Sequence, residues 1–188
     1  NRYKYLLIYQ LDAFVFSDQL KFFCELDYDY IGAPVPKYAK GWHTLKTQIG
    51  NGGFSLRKIG STLRVLEQKD DIFSYHPMKK KFSSVEDMFF GYCGTVEKLS
   101  FHVPPVSVAL RFSIQDDIRH CYDKLAIQLP FGCHAWRRYN FDVWRPFIEK
   151  FGYSFELPVG IPFILVKERN FYRLLMNRIM TRADRKAV

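Results

Sequence analysis

Tyr3-Lys4-Tyr5-Leu6-Leu7-Ile8-Tyr9-Gln10-Leu11-Asp12-Ala13-Phe14-Val15-Phe16 opens the chain and sets its class. The run is almost continuously apolar and rich in β-forming residues, the pattern of a strand buried on both faces. Strands of that kind lie in parallel or mixed sheets covered by helices, so the run predicts an α/β domain. A central strand this close to the first residue also predicts a fragment, with at least one βαβ unit upstream of Asn1. Asp12 is the acid of the run. Ligands of open α/β sheets bind beyond the carboxyl ends of strands. Asp12 there is placed to hold a metal, or is an acid satisfied in a turn.

Downstream, Ile49-Gly50-Asn51-Gly52-Gly53-Phe54-Ser55-Leu56-Arg57 concentrates three glycines and an asparagine in four positions. Glycine costs backbone entropy, so a cluster implies positive φ or a backbone approached closely by another body. Apolar residues at Leu56, Ile59, Leu63 and Leu66 predict a helix starting near Ser55, whose free N–H groups would suit an anion. The segment is then a loop against a phosphorylated sugar, or a tight strand-to-helix turn. Between the two stretches, Ser17 to Leu26 predicts a short helix and Tyr28 to Pro34 a short strand. Pro34 to Thr47 is read as a loop.

Two further features carry titratable groups. Glu86 and Asp87 precede an aromatic run, as acids do in the first turn of a helix, or as a carboxylate held in a cleft as a base. His134 lies in Leu129-Pro130-Phe131-Gly132-Cys133-His134-Ala135-Trp136 and is read as a packed histidine or a ligand. Asp70 to Ser83 is read as a solvated loop, Phe101 to Leu110 as a Pro-interrupted edge segment, and Phe141 to Phe151 as a helix.

Composition narrows the class. The 188 residues suffice for one core, and 18 Phe with 12 Tyr leave rings for a sugar-facing surface. The four cysteines form no CxxC pair, which fits reduced thiols. The net charge is +9, and seven basic against two acidic residues from Lys167 to Lys186 supply +5 of it. That asymmetry argues against a nucleic-acid-binding face on the core. Lys167 to Arg185 predicts a basic amphipathic helix suited to an anionic membrane surface, or packed on the domain or a partner. The expected organisation is a domain over 1–165 and a basic helix over 166–188.

An acid after a strand, a glycine loop, an acidic pair and a late histidine form an ordered set. This order resembles the GT-A glycosyltransferases, which use nucleotide sugars. QLDAF, YDYIGAP, GNGGFSLR, VEDMFF and PFGCHAW together look like a bacterial and viral family, itself uncharacterised, allied with that fold, over about Tyr5 to Trp136. The resemblance implies a GT-A-like, mixed, mostly parallel sheet flanked by helices, with the N-terminal nucleotide-binding part missing. It implies Asp12 and His134 as ligands of Mn²⁺ or Mg²⁺, although the second acid of the aspartate motif is absent from Asp12-Ala13-Phe14. It implies Gly50, Asn51, Gly52 and Gly53 as a donor and acceptor loop. Asp87, beside Glu86, becomes the base of an inverting transfer, and Trp136 a candidate face for a sugar. Transfer from a diphosphate needs positive charge on the leaving phosphates, which a divalent cation supplies, and an acceptor hydroxyl needs a base within reach. The expected partners are a nucleotide sugar, a surface-glycan or lipid-linked acceptor and, through residues 167–186, an anionic membrane at the cytoplasmic face. A non-catalytic carbohydrate- or partner-binding module of the same fold, and a membrane-surface scaffold acting through the tail, are the competing readings.

Overall fold

A computed structural model describes residues 2–35, 48–74, 86–116, 118, 121, 128–138 and 141–155. The chain divides into two units, Asn1–Tyr153 and Ser154–Val188. The second is outside the described residues except for its first two positions, and so is the basic segment 167–186.

Three strands form the first sheet: β1 (Tyr5–Tyr9), β3 (Tyr30–Gly32) and β4 (Phe54–Lys58), in the order β1-β4-β3. β4 pairs antiparallel with both neighbours, Leu7 opposite Leu56 and Ile31 opposite Leu56. Side chains alternate across a strand, and here both faces are covered near β4. Phe54, Leu56 and Ile31 face a core with Phe23, Phe112 and Phe131. Phe54 and Phe112 stack at 5.1 Å, and Phe23 meets Phe112 edge-on at 5.1 Å. Tyr30 faces a second core with Val65, Ile72, Phe89, Phe90 and Phe101.

A second sheet is made of β2 (Phe14–Val15), β5 (Ser113–Ile114) and β6 (Gly132–Cys133), in the order β2-β6-β5. β5 and β6 run parallel and β2 runs antiparallel to β6. Gly132 marks where the sheets touch: a Cβ there would lie 2.6 Å from the Phe54 ring and 2.7 Å from the Phe14 carbonyl oxygen. Among the described residues the α-helices are α1 (Leu20–Glu25), α2 (Ile59–Glu67), α3 (Lys69–Ser74), α4 (Glu86–Cys93), α5 (Val106–Phe112) and α6 (Phe141–Glu149). Helices and small sheets alternate, so the domain is of the α/β class.

Six expectations need correction. The opening run is two strands, not one: it breaks in a turn at Leu11-Asp12, where the Ala13 N–H returns to the Gln10 carbonyl at 2.9 Å. β1 is an edge strand among the described residues, with Leu6 half exposed, because its apolar run reflects contact with one core rather than two. Among the described residues the pairing is mostly antiparallel, not mostly parallel: β5–β6 is parallel, while β1–β4, β3–β4 and β2–β6 are antiparallel. No helix starts at Ser55. Phe54 to Lys58 is the central strand, and the helix begins at Ile59, so the glycines do not precede helical N–H groups. Phe101 to Leu110 is not an edge strand either, since Pro105 stands at the N-cap of α5, where its missing N–H costs nothing. The polar stretch after Gln68 starts as α3, with Asp70 and Asp71 in its first turn. The predicted elements α1, β3, α4 and α6 are present. No helix among the described residues is long and apolar enough to cross a membrane.

Candidate functional site

The topology of the second sheet gathers the polar groups. β5 and β6 are parallel, so their carboxyl ends lie side by side, and Gln115 and His134 follow directly. β2 is antiparallel, so its amino end, preceded by Asp12, lies at the same place. The Gln10–Ala13 turn joins this end to the first sheet, where the Gln10 N–H donates to the Gly53 carbonyl at 2.9 Å. The His134 N–H donates to the Ile114 carbonyl at 3.1 Å, and the Trp136 N–H to the Asp12 carbonyl at 3.3 Å.

His134 is the hub. Its Nε2 lies 3.2 Å from Asp12 Oδ1 and 3.0 Å from Gln10 Oε1, and its Nδ1 is hydrogen-bonded to Gln115 Oε1. Burial pushes the imidazole toward the neutral form, while the charges of Asp12, Asp116 and Asp87 pull the other way. A neutral imidazole has one N–H and one lone pair. In one tautomer Nε2–H donates to Asp12. In the tautomer whose Nδ1–H donates to Gln115, Nε2 presents its lone pair beside the Asp12 and Gln10 oxygens, which sets three lone-pair donors at one spot.

That arrangement fits a divalent cation. Ligands at about 2.1 Å and right angles lie about 3 Å apart, as the two observed separations do. Carboxylate and amide oxygens with one imidazole suit Mn²⁺ or Mg²⁺ better than soft metals. No three His, Cys, Asp or Glu side chains gather at one point among the described residues; the group beside Asp12 and His134 is the amide of Gln10. The second acid of the aspartate motif is absent after Asp12. The amide oxygen of Gln10, two residues before Asp12, lies 3.0 Å from His134 Nε2.

The glycines line this site. A Cβ on Gly53 would overlap the His134 ring and the Gln10 amide, and one on Gly52 would lie 2.7 Å from Glu86 Oε1 and 3.0 Å from Arg57 Nη2. Close approach, not positive φ, is therefore what these two positions need. The left-handed conformation falls on Asn51, at φ 59°. Its amide reaches the Pro34 carbonyl at 3.4 Å, and the Gly50 N–H donates to the Ala33 carbonyl at 3.3 Å.

Glu86 and Asp87 open α4 beside the loop. Asp87 accepts the Gly52 N–H at 3.4 Å and the Met88 N–H at 2.8 Å. Desolvation raises its pKa above the usual carboxylate range, the two N–H groups lower it, and Glu86 raises it further. Glu86 Oε1 pairs with Arg57 Nη2 at 2.6 Å. The Trp136 ring packs on Phe141 with centroids 5.9 Å apart.

The structure thus brings together Asp12, His134, Gly52, Gly53, Glu86 and Asp87, with Asn51 and Gly50 holding the loop and Trp136 tied to Asp12 by its backbone. Gln10, Gln115 and Arg57 were not singled out from the sequence. Gln10 had a signal, since it precedes Asp12 by two residues in QLDAF. Gln115 had none, because its role follows from strand pairing alone.

An α/β domain with a polar site where two small sheets meet is the class these features define. Residues 1–134 match a family described as "Protein of unknown function (DUF5672)", and the chain belongs to that family. No curated protein and no solved structure matches the chain significantly.

Proposed function

We propose that this chain is the catalytic domain of a metal-dependent, inverting glycosyltransferase of GT-A-like fold. It moves a sugar from a nucleotide-sugar donor to a glycan or lipid-linked acceptor of a cell-surface polysaccharide, at the cytoplasmic face of a membrane. The observation that carries this reading is the meeting of Asp12, Gln10 and His134 beside Gly53, with the desolvated Asp87 close enough for its charge to act on the imidazole. Asp12, Gln10 and His134 would hold Mn²⁺ or Mg²⁺, and the cation would supply Lewis-acid stabilisation of a diphosphate leaving group. Asp87, with its raised pKa, takes the acceptor hydroxyl's proton. Gly52 and Gly53 let the donor approach the backbone, and Gln115 fixes the tautomer of His134, as outer partners of metal-binding imidazoles do.

One observation favours the second reading, a non-catalytic module that binds carbohydrate or a partner. The donor set contains a single carboxylate, a weaker cation site than two acids make. The deciding experiment offers a panel of nucleotide sugars with Mn²⁺ to the wild type and to Asp87→Asn, and measures nucleoside diphosphate release. Release by the wild type that Asp87→Asn abolishes is the expected result. Unchanged release by the variant removes Asp87 as base, and saturable binding without release selects the module.

A further inference from the structure

Arg57 is a charged side chain buried in the middle of the first sheet, and the chemistry assigned above leaves it without a role. It sits on β4, opposite Leu6 of β1 and Tyr30 of β3. Its side chain is 9% exposed, whereas that of its carboxylate partner Glu86 is 65% exposed. The guanidinium carbon lies 5.0 Å from the Phe90 ring centroid and 5.7 Å from that of Tyr30. Those rings stack on each other at 5.4 Å. A planar cation held on aromatic faces has few orientations left.

Its donors are spent on two elements. Nε donates to Ser55 Oγ at 3.1 Å, and Nη2 to the Gly52 carbonyl at 3.4 Å and to Glu86 Oε1 at 2.6 Å. Ser55 Oγ in turn donates to the same Gly52 carbonyl at 2.9 Å. Gly52 then offers its own N–H to Asp87, the neighbour of Glu86. The loop and the first turn of α4 are therefore tied twice, once at Arg57 and once at Asp87.

We propose that Arg57 is the positioning residue of this site: clamped by Tyr30 and Phe90, it locks Gly52 to Glu86 and thereby fixes where the Asp87 carboxylate stands. The clamp rests on the reading of Asp87 as the acceptor's base. Charged and titratable groups facing Asp87 are Glu86 on its own helix, Tyr30 on the sheet and His134 beyond the loop, and Arg57 reaches this group through Glu86. Arg57 neutralises Glu86, the carboxylate that otherwise repels Asp87. Lysine cannot replace it, because an ammonium lacks the planar fork that serves Ser55, Gly52 and Glu86 together.

The test follows the Gly52 amide by NMR across pH, in the labelled 188-residue chain. Wild type, Asp87→Asn, Arg57→Lys and Glu86→Gln are compared. In the wild type the amide follows a titration that Asp87→Asn removes. In Arg57→Lys and Glu86→Gln the amplitude of that titration falls by about half or more, as loss of a fixed contact requires. With an active donor, kcat falls by about 10²-fold while KM for the donor moves less than about twofold, the pattern of misplaced chemistry. An amide that tracks Asp87 equally in both variants overturns the clamp, whether or not sugar is transferred. So does a wild-type Gly52 amide that ignores pH. Loss of tracking in the variants, with no donor turned over by the wild type, supports the clamp and removes the transferase. Glu86→Gln changes a largely exposed side chain, so it decides the matter should Arg57→Lys not fold.

Discussion

The two ends of the first sheet carry contrasting charge clusters. At the Tyr5/Lys58 end, Asp27 accepts from Lys4 Nζ at 2.8 Å, Lys58 Nζ at 2.8 Å and the Tyr5 hydroxyl at 2.5 Å. Asp29, nearly buried, takes the His102 N–H at 2.6 Å, with Lys58 Nζ at 3.9 Å. Donors there match acceptors. At the Tyr9/Phe54 end the balance is reversed. Asp12, Gln10 and Gln115 turn three oxygens on one imidazole, and Asp87 stands behind Gly52. A cluster whose charges are paired internally holds a fold together. A cluster with surplus acceptors is stable only because part of it faces water or a cation, and that surplus is the mark of a site.

The two acids differ in the same sense. Lys4 first, then Lys58 and Tyr5, hold the Asp27 carboxyl well below its usual range. Desolvation holds Asp87 above it. A lowered folded pKa gives stability present above the unfolded value and lost as pH falls. A raised one gives stability present below the unfolded value and lost as pH rises. Ionised Asp87 is thus a cost to the fold at neutral pH, and ionised Asp27 a gain.

The largest effect that separates the ends is on turnover. Asp87→Asn lowers it by about 10²–10⁴-fold, the usual contribution of a general base, whereas Asp27→Asn leaves it within about twofold, as surface changes do. Wild-type kcat/KM rises with pH through a value above the ordinary carboxylate range, measured as a pH–rate profile. A profile flat across that range breaks the comparison.

Cation binding comes next. Mn²⁺ at about a hundredfold its Kd adds about 2.7 kcal/mol to the wild type, read as a rise in melting temperature. Asp12→Asn and His134→Ala lose that rise, and Asp27→Asn keeps it. Gln10→Ala weakens it, because one oxygen of three is gone. A cation-induced rise that survives His134→Ala removes the metal from this end of the sheet.

Gly53→Ala costs about 1–3 kcal/mol, the range for overpacking, since the new methyl overlaps the His134 ring and the Gln10 amide. It also abolishes the Mn²⁺-induced rise. Gly60→Ala is the control, because a Cβ there meets nothing within 4 Å and alanine favours the α2 helix.

The smallest effects sharpen the contrast in sign. Asp87→Asn melts above the wild type at neutral pH, and the difference closes as pH falls below the carboxylate range. Asp27→Asn melts slightly below the wild type, with a difference that closes on acidification and in high salt. Equal signs for the two variants in thermal melts across pH refute the division of the sheet into a structural and a functional end.

Some of the site was legible before any fold was known. Asp12, the glycine loop, the acidic pair and His134 were each marked by residue type against an apolar background, and all lie together. Gln10 and Arg57 were passed over for opposite reasons. An amide carries no charge to draw attention, and an arginine reads as a surface residue until burial is known. The helix expected from Ser55 failed because Leu56, Ile59, Leu63 and Leu66 span a strand and a helix in succession, and the 3.6-residue period of α2 overran the β4 boundary. The opening run failed as one strand because apolar content says nothing about the turn at Leu11-Asp12.

By itself the sequence determined the class of the domain, the apolar stretches that had to be buried, and the residue types able to do chemistry, because burial preference and glycine's lack of a Cβ are local properties. Only the tertiary structure decided which of them share a space. The parallel pairing of Ser113–Ile114 with Gly132–Cys133 sets Gln115 beside His134, and the antiparallel return of Phe14–Val15 brings Asp12 to meet them. Strand register is a long-range choice made by packing both cores at once, and no single stretch of this chain encodes it.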